Sequence, residues 1–357
     1  MTNLSLKKSH YDKLYAAKSV IDSCKSDLGF YASADLYKHE CWTRDLSYCL
    51  EGLLAAGYEN DVKKALKTLW EKQKSSGRVP TLFFDNFTSW LRNSIRRGRA
   101  KSIPKSFTGL EAVLNSIFHV SDPTPHAVIT TYELARSSKD ENFISNFSIN
   151  LKSALEYIEK NCRDGFIVGC DWRDLMPELR GDALLSNQCL LYRIYRLAGE
   201  ERKAEDLKNR INNEFWNGEY YVSSRGRKDF DMLGNALAIE WDIAKKDTYG
   251  KLAEMFRKST TKYGIRNMLL IDKRSANQKT KVPECDQYGT IWPFAAYHAV
   301  LALDKMGYRD FAREEFEKLE NLEGFNEWYD PSSGKPLGSK EQLWNAASYL
   351  ETVKKIF

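Results

Sequence analysis

Acidic side chains set beside tryptophan recur at four places in this chain, each where a loop hands over to a helix. The first is CWTRDLS, Cys41 to Ser47, with Trp42, Arg44 and Asp45. A flat ring and a forked donor suit the face and hydroxyls of a sugar. Asp45 also stands where a carboxylate could simply cap the backbone N–H groups of the following helix. The second is GCDWRDLMPELRGD, Gly169 to Asp182, where Asp171 and Asp174 bracket Trp172. A carboxyl beside an aromatic face in a partly dry pocket has its pKa raised, as a general acid requires. The third is ECDQYGTIWPFAAYH, Glu284 to His298, with Trp292 ahead of Pro293, a residue that suits the first turn of a helix. The fourth is GFNEWYDPSSGKPLGS, Gly324 to Ser339, where Glu327 and Asp330 flank Trp328 and Tyr329 on a turn-rich loop. Packing beneath a long loop is the plainer use of those last two rings.

Together these groups describe a cleft lined with rings and acids. No GxSxG or GxGxxG occurs, which argues against a serine hydrolase or a dinucleotide enzyme. The five histidines form no HExxH, and the seven cysteines include no CxxC pair, so no metal and no other cofactor is expected. Carbohydrate is the expected partner, and two carboxylates on separate loops supply the acid and base of glycoside hydrolysis.

The elements that must position these groups are helical. LSYCLEGLLAAG (46–57) and DVKKALKTLWEKQKSSG (61–77) repeat apolar residues at three- and four-residue steps and stop at Gly57 and Gly77, with Asp61 at a cap position. Similar pairs are expected at 124–138 with 141–161, 181–199 with 201–215, 234–245 with 247–259, and 290–307 with 308–320. The last segment, 339–356, can pair with 8–25 and close a ring. The hairpins share no sequence signature and are unevenly spaced, unlike a solenoid of fixed period. Connectors such as 78–123 and 260–289 exceed ordinary helix–helix loops, which marks them as functional. The expected fold class is all-α, an (α/α)6 toroid with loops gathered over one end, using residues 1–357 as a single domain.

Composition sets the outer limits. The chain has 357 residues, 54 Lys+Arg against 49 Asp+Glu, and 9 Trp, 19 Tyr and 17 Phe. A net charge of +5 is too small to announce a nucleic-acid protein, although Arg92, Arg96, Arg97, Arg99 and Lys101 form one local basic cluster suited to an anionic ligand. No stretch approaches the ~18 apolar residues of a membrane span, and MTNLSLKKSH lacks the apolar core of a signal peptide. Unpaired core thiols fit a cytoplasmic location.

At the four groups the sequence resembles the glycoside hydrolases with an (α/α)6 toroid. The nearest likeness is to the glucosidase domain of glycogen-debranching enzymes, with neutral invertases, trehalases and glucoamylases as wider relatives. Trp42-Thr-Arg-Asp-Leu followed by EGLLAAG resembles the family's RD pair opening its first long helix. GRVPT resembles G-x-I-P-N, with Thr81 in place of Asn, and SDPTPHAVITTYELA resembles the D-A-T-x-W-F segment through Asp122. Gly289-Thr-Ile-Trp-Pro293 matches G-T-x-W-P. Trp172-Arg-Asp174 resembles the W-x-D whose aspartate is the general acid, and Glu327 falls where the family has its base. Related phosphorylases carry a D-W-x-D-x-M, and trehalases a G-W-D that would select Asp171 instead. The resemblance implies an inverting, exo-acting hydrolase of an α-glucoside or related oligosaccharide. Asp174 (alternatively Asp171) would be its acid and Glu327 its base, the two carboxyls ~6.5–9.5 Å apart. Arg44, Asp45 and Asp122 would then hold hydroxyls, with Trp42, Trp172, Trp292 and Trp328 around the sugar.

Two rivals stay open at this point. An inverting phosphorylase would use phosphate in place of water and need no base at Glu327. A helical binding protein would grip carbohydrate without cleaving it.

Overall fold

The structure is a computed structural model that describes residues 8–85, 120–174, 176, 179–269, 287 and 289–356. Twelve of its helices form the frame. They are α1 (Lys8–Cys24), α2 (Thr43–Ala55), α3 (Glu59–Glu71), α4 (Pro123–Ser138), α5 (Ser148–Asn161), α6 (Leu185–Leu197), α7 (Glu201–Glu214), α8 (Met232–Glu240), α9 (Tyr249–Ser259), α10 (Pro293–Lys305), α11 (Arg309–Glu320) and α12 (Leu343–Ile356).

The even-numbered helices make a closed ring: α2 packs on α4, α4 on α6, α6 on α8, α8 on α10, α10 on α12, and α12 back on α2. Outside them, α1, α3, α5, α7 and α11 lie against α12, α2, α4, α6 and α10. This is the expected all-α toroid of helical pairs. The sequence distinguishes the two layers. A ring helix meets neighbours on several sides, so PFAAYHAVLAL is apolar nearly all round and Pro293 through Leu303 are all buried. An outer helix meets neighbours on one side, so α3 buries only Val62, Ala65, Leu66, Leu69 and Trp70, at helical spacing. Where α2 and α12 meet, backbones touch: a Cβ on Gly52 would lie 1.9 Å from the carbonyl oxygen of Ala347. Only glycine fits that seam.

Several boundaries differ from expectation: α3 ends at Glu71 rather than at Gly77, and α8 covers Met232–Glu240 rather than 234–245. The 141–161 segment breaks at Phe147, which packs its ring near Trp70 and edge-on to Phe143; a short helix, Glu141–Asn146, precedes α5. Asp61 does not cap α3, which starts two residues earlier and has Asp61 inside its first turn. Nor is Asp45 a cap. Helix α2 begins at Thr43, its N-cap position is Trp42, and no side chain caps it.

Short antiparallel hairpins, unmarked by sequence periodicity, follow three outer helices and turn the chain back toward the ring. They pair Lys25–Ser26 with Gly29–Phe30, Cys162–Arg163 with Phe166–Ile167, and Thr260–Thr261 with Gly264–Ile265. The segment after the first leads to Trp42 and Arg44, and that after the second to Asp171 and Asp174.

A candidate active site at one mouth of the ring

Arg44 and Asp45 lie in the first turn of α2, and a two-stranded ladder aims that turn: Glu40–Trp42 pairs with Leu82–Phe84. Thr43 reinforces it, its N–H bonding Thr81 O at 3.0 Å and its hydroxyl donating to Pro80 O at 2.6 Å. The GRVPT stretch thus serves as a strap across the start of α2. Arg44 then reaches over the Trp42 ring, 4.5 Å from its centre, and donates through Nη2 to Asp174 Oδ2 at 2.8 Å. Trp42 Nε1 donates to the buried Glu40 at 3.0 Å.

Asp171 and Asp174 are close in the chain and different in environment. Asp171 is saturated. It accepts from the backbone N and Nε of Arg173, from Arg173 Nη2 at 2.6 Å, and from the Ser186 hydroxyl. Burial would raise its carboxyl, but the Arg173 guanidinium and these bonds hold it below the ordinary value. Arg173 also donates to Asp231 Oδ2 at 3.0 Å, so Asp171, Arg173 and Asp231 form a buried ionic brace. Asp174, in contrast, meets Arg44 from a different helix pair.

Glu327 approaches from the loop ahead of α12. Its Oε1 accepts from Tyr37 Oη at 2.8 Å and its Oε2 from Ser339 N at 2.9 Å, while its own N–H bonds Ser339 O at 2.7 Å. The loop is fixed from behind: Asn345 Oδ1 accepts from Phe294 N at 2.8 Å, and its Nδ2 donates to the Asn326 carbonyl. Ile291 and Tyr329 exchange backbone bonds at 3.1 and 2.8 Å. Gly338, at φ +70°, backs the carboxylate so closely that a Cβ there would meet Glu327 Oε2 at 2.6 Å and Trp328 Cδ1 at 2.7 Å. Asp330 spends itself on the turn, accepting from Ser332 N and from Ser333 N and Oγ.

Asp45 couples these parts. Burial pushes its carboxyl up to about 7, against the pull of Arg44, with the nearby charges of Glu327, Asp174 and Glu40 adding to the rise. Asp45 therefore lies within electrostatic reach of both Glu327 and Asp174. Asp122, just ahead of α4, is fully buried, and neither carboxyl oxygen has a hydrogen-bond partner among the described residues. Burial raises it to about 8, opposed by Arg44 and reinforced by Asp171 and Asp174. Burial works to lower Arg44, but Asp174, Asp122 and Asp45 outweigh it and push the guanidinium up.

The tryptophans divide. Trp42 stands against Arg44. Trp172 and Trp292 are each 1% exposed and pack edge-on at 5.1 Å, with Phe294 at 5.1 Å from Trp172. Trp292 stacks near-parallel with Trp328 at 6.5 Å and meets Trp344 at 5.9 Å. These rings form an aromatic layer beneath the acids, with little surface of their own to offer a sugar. The basic cluster at 92–101, Glu284 and most of the long connectors lie outside the described residues.

Sequence reasoning did not find Tyr37, Ser339, Ser186, Asp231 or Asn345. Asp231 had a local signal, an acid immediately ahead of the apolar run MLGNALAIE. Tyr37 had none.

A closed ring of helix pairs with converging acids at one mouth is the architecture of the toroidal glycosidases, and the chain resembles that class. Residues 184–345 match the family model of the mannosylglycerate hydrolase MGH1-like glycoside hydrolase domain, a span that contains Glu327 and begins after Asp174. Among solved structures, the mannosylglycerate hydrolase of Thermus thermophilus with Tris and D-glycerate superimposes with a TM-score of 0.69 at 13% identity, covering 95% of this chain and 99% of that one. A glycosidase variant in complex with glucose gives 0.68 at 12% identity, covering 99% of both chains. No curated protein matches the sequence. Among the described residues no helix is long and apolar enough to cross a membrane.

Proposed function

We propose that the protein is an inverting, exo-acting glycoside hydrolase. The observation that carries the reading is the pairing of environments around Asp45. Asp174 is held by Arg44, Glu327 accepts from Tyr37 and Ser339, and both lie within electrostatic reach of Asp45. In this reading Asp174 gives its proton to the glycosidic oxygen as the bond to the anomeric carbon breaks. Glu327 takes a proton from water, whose oxygen attacks the opposite face of that carbon. The cycle closes when protons return from Glu327 to solvent and from solvent to Asp174. Asp171 is set aside as the acid because its oxygens are already occupied by Arg173 and Ser186.

Arg44, Asp45 and Asp122 are the groups proposed to hold sugar hydroxyls, with Asp45 and Asp122 entering as neutral carboxyls able to donate as well as accept. Trp42 is proposed to border the sugar, and Trp172, Trp292 and Trp328 to shape the subsite from below. The substrate class is an α-hexoside with one sugar at the buried end. The family model and the hydrolase it is named for make mannosylglycerate the first compound to screen, ahead of disaccharides and malto-oligosaccharides. The test is a screen with the released sugar followed by NMR. An initial product of opposite anomeric configuration supports the reading; retention, or turnover only in the presence of phosphate, overturns it.

A further inference from the structure

The ring has a second mouth. The candidate site occupies the N-terminal ends of ring helices, with Arg44 and Asp45 opening α2 and Asp122 just ahead of α4. Further along, Glu51, Glu133, Arg193, Glu240, His298 and Glu351 line a cavity of about 350 Å³, one side chain from each of the six ring helices. Tyr48 closes the axis between the two ends. Its ring lies 4.7 Å from His126, 5.2 Å from Phe294 and 5.7 Å from His298, and its hydroxyl is pushed well up by burial and by the charges of Asp122 and Asp171.

Most charges on this wall close among themselves. Glu133 takes Arg193 and Arg136, and Glu351 takes Lys355. With Glu51 and Glu240 the wall carries four carboxylates, which Arg136, Arg193, Lys355 and the His298 imidazole beside Glu240 offset, so it has no net call for an ion. His298 is different: its Nδ1 lies 2.8 Å from Glu240 Oε1, while its Nε2 has no hydrogen-bond partner among the described residues. The residue is 9% exposed, and a buried polar atom of this kind gains from a ligand that pairs it. Arg193 Nε is likewise buried without a partner among the described residues, and the same guanidinium lies 5.9 Å over the ring of Trp241, which also lines the cavity. Charge balance, spare hydrogen-bonding atoms and one aromatic face suit a neutral molecule rich in hydroxyls. The volume falls at the small end of the ~300–1,000 Å³ typical of ligand pockets, enough for one sugar unit.

We infer that the far mouth of the ring is a second binding site for a neutral polyhydroxylated molecule of monosaccharide size, anchored on His298 Nε2 and Trp241. It stands apart from hydrolysis, since nothing in it uses Asp174 or Glu327. The test is isothermal titration of the full chain with sorbitol and with glucose, on wild type, His298→Ala and Trp241→Ala, each first checked by thermal melting. Binding should weaken by about tenfold or more in both variants, the loss expected when a hydrogen bond to a charged or buried group is removed. Equal affinity in wild type and His298→Ala overturns the inference, as does binding of phosphate but neither polyol. If His298→Ala does not fold, Trp241→Ala at the half-buried rim decides: unchanged affinity overturns the site. Neither sorbitol nor glucose carries a glycosidic bond, so the titration reads binding alone and failure of the hydrolase reading leaves this result distinguishable.

Discussion

Arg44 Nη2 lies 2.8 Å from Asp174 Oδ2, and both side chains are buried. The pair ties the first turn of α2 to the loop ahead of α6, and Arg44 also pulls the raised carboxyls of Asp45 and Asp122 downward. Removing it leaves the buried Asp174 without its guanidinium partner. Arg44→Ala is therefore expected to destabilise the protein by about 3–5 kcal/mol, the usual cost of stranding a buried charge. Urea unfolding measures this, and a loss under about 1 kcal/mol would show that the pair is screened by solvent.

The two proposed catalytic carboxyls should separate by chemistry. Asp174→Asn and Glu327→Gln are each expected to lower kcat by about 10²–10⁴-fold on ordinary glycosides. With a glycosyl fluoride, whose leaving group needs no proton, Asp174→Asn should regain much of its rate and Glu327→Gln should not. Recovery in both variants, or in neither, would reverse or remove the role assigned to Asp174.

Gly338 provides a test of positioning that leaves Glu327 itself in place. A methyl at this position meets the carboxylate at 2.6 Å and the Trp328 ring, at a backbone φ of +70° that side chains rarely adopt. Gly338→Ala should lower kcat by about tenfold or more through misplacement alone. Gly307→Ala, at φ +91° with nothing within 4 Å, carries the same backbone strain without the clash. Its activity should be unchanged, and equal losses in the two variants would refute a positioning role.

Asp122 and Asp45 make stability depend on pH with a definite sign. Both carboxyls are raised by burial, to about 8 and about 7 from an ordinary 3.8. They stay protonated in the fold while the unfolded chain ionises, so their contribution is full below about pH 4 and is lost as pH rises through about 7–8. Asp122→Asn removes one such group. Its melting temperature relative to wild type should rise between pH 4 and pH 8, by roughly 2–4 °C for each kcal/mol recovered. A difference that is constant with pH would mean that Asp122 ionises normally in the fold.

Much of this was legible from the sequence because periodicity reports burial directly. All-round apolar runs such as PFAAYHAVLAL became ring helices, and one-sided ones such as DVKKALKTLWEK became outer helices. The pairing of 8–25 with 339–356 followed from counting helices. What escaped was contact at long range. Nothing in SADLYKHE marks Tyr37 as the donor to Glu327, 290 residues away. Tryptophan was legible as present but not as exposed: Trp172 and Trp292 have the composition of a sugar platform and the burial of a core. Asp171 and Asp174 look alike in DWRD, and only the position of Arg173 distinguishes the saturated acid from the one facing Arg44.

The seam between Gly52 and Ala347 also bears on how the protein is made. At about 5–20 residues per second, a ribosome needs roughly 15–60 s to synthesise the stretch between these two positions. Throughout that interval α2 presents to solvent or to a chaperone the face that α12 will cover, and the mouth that Glu327 completes stands open. Such long-range closure slows folding and exposes apolar surface to neighbouring chains. A ring sealed between α12 and α2 ties the birth of the candidate active site to a helix made long after the one it closes on.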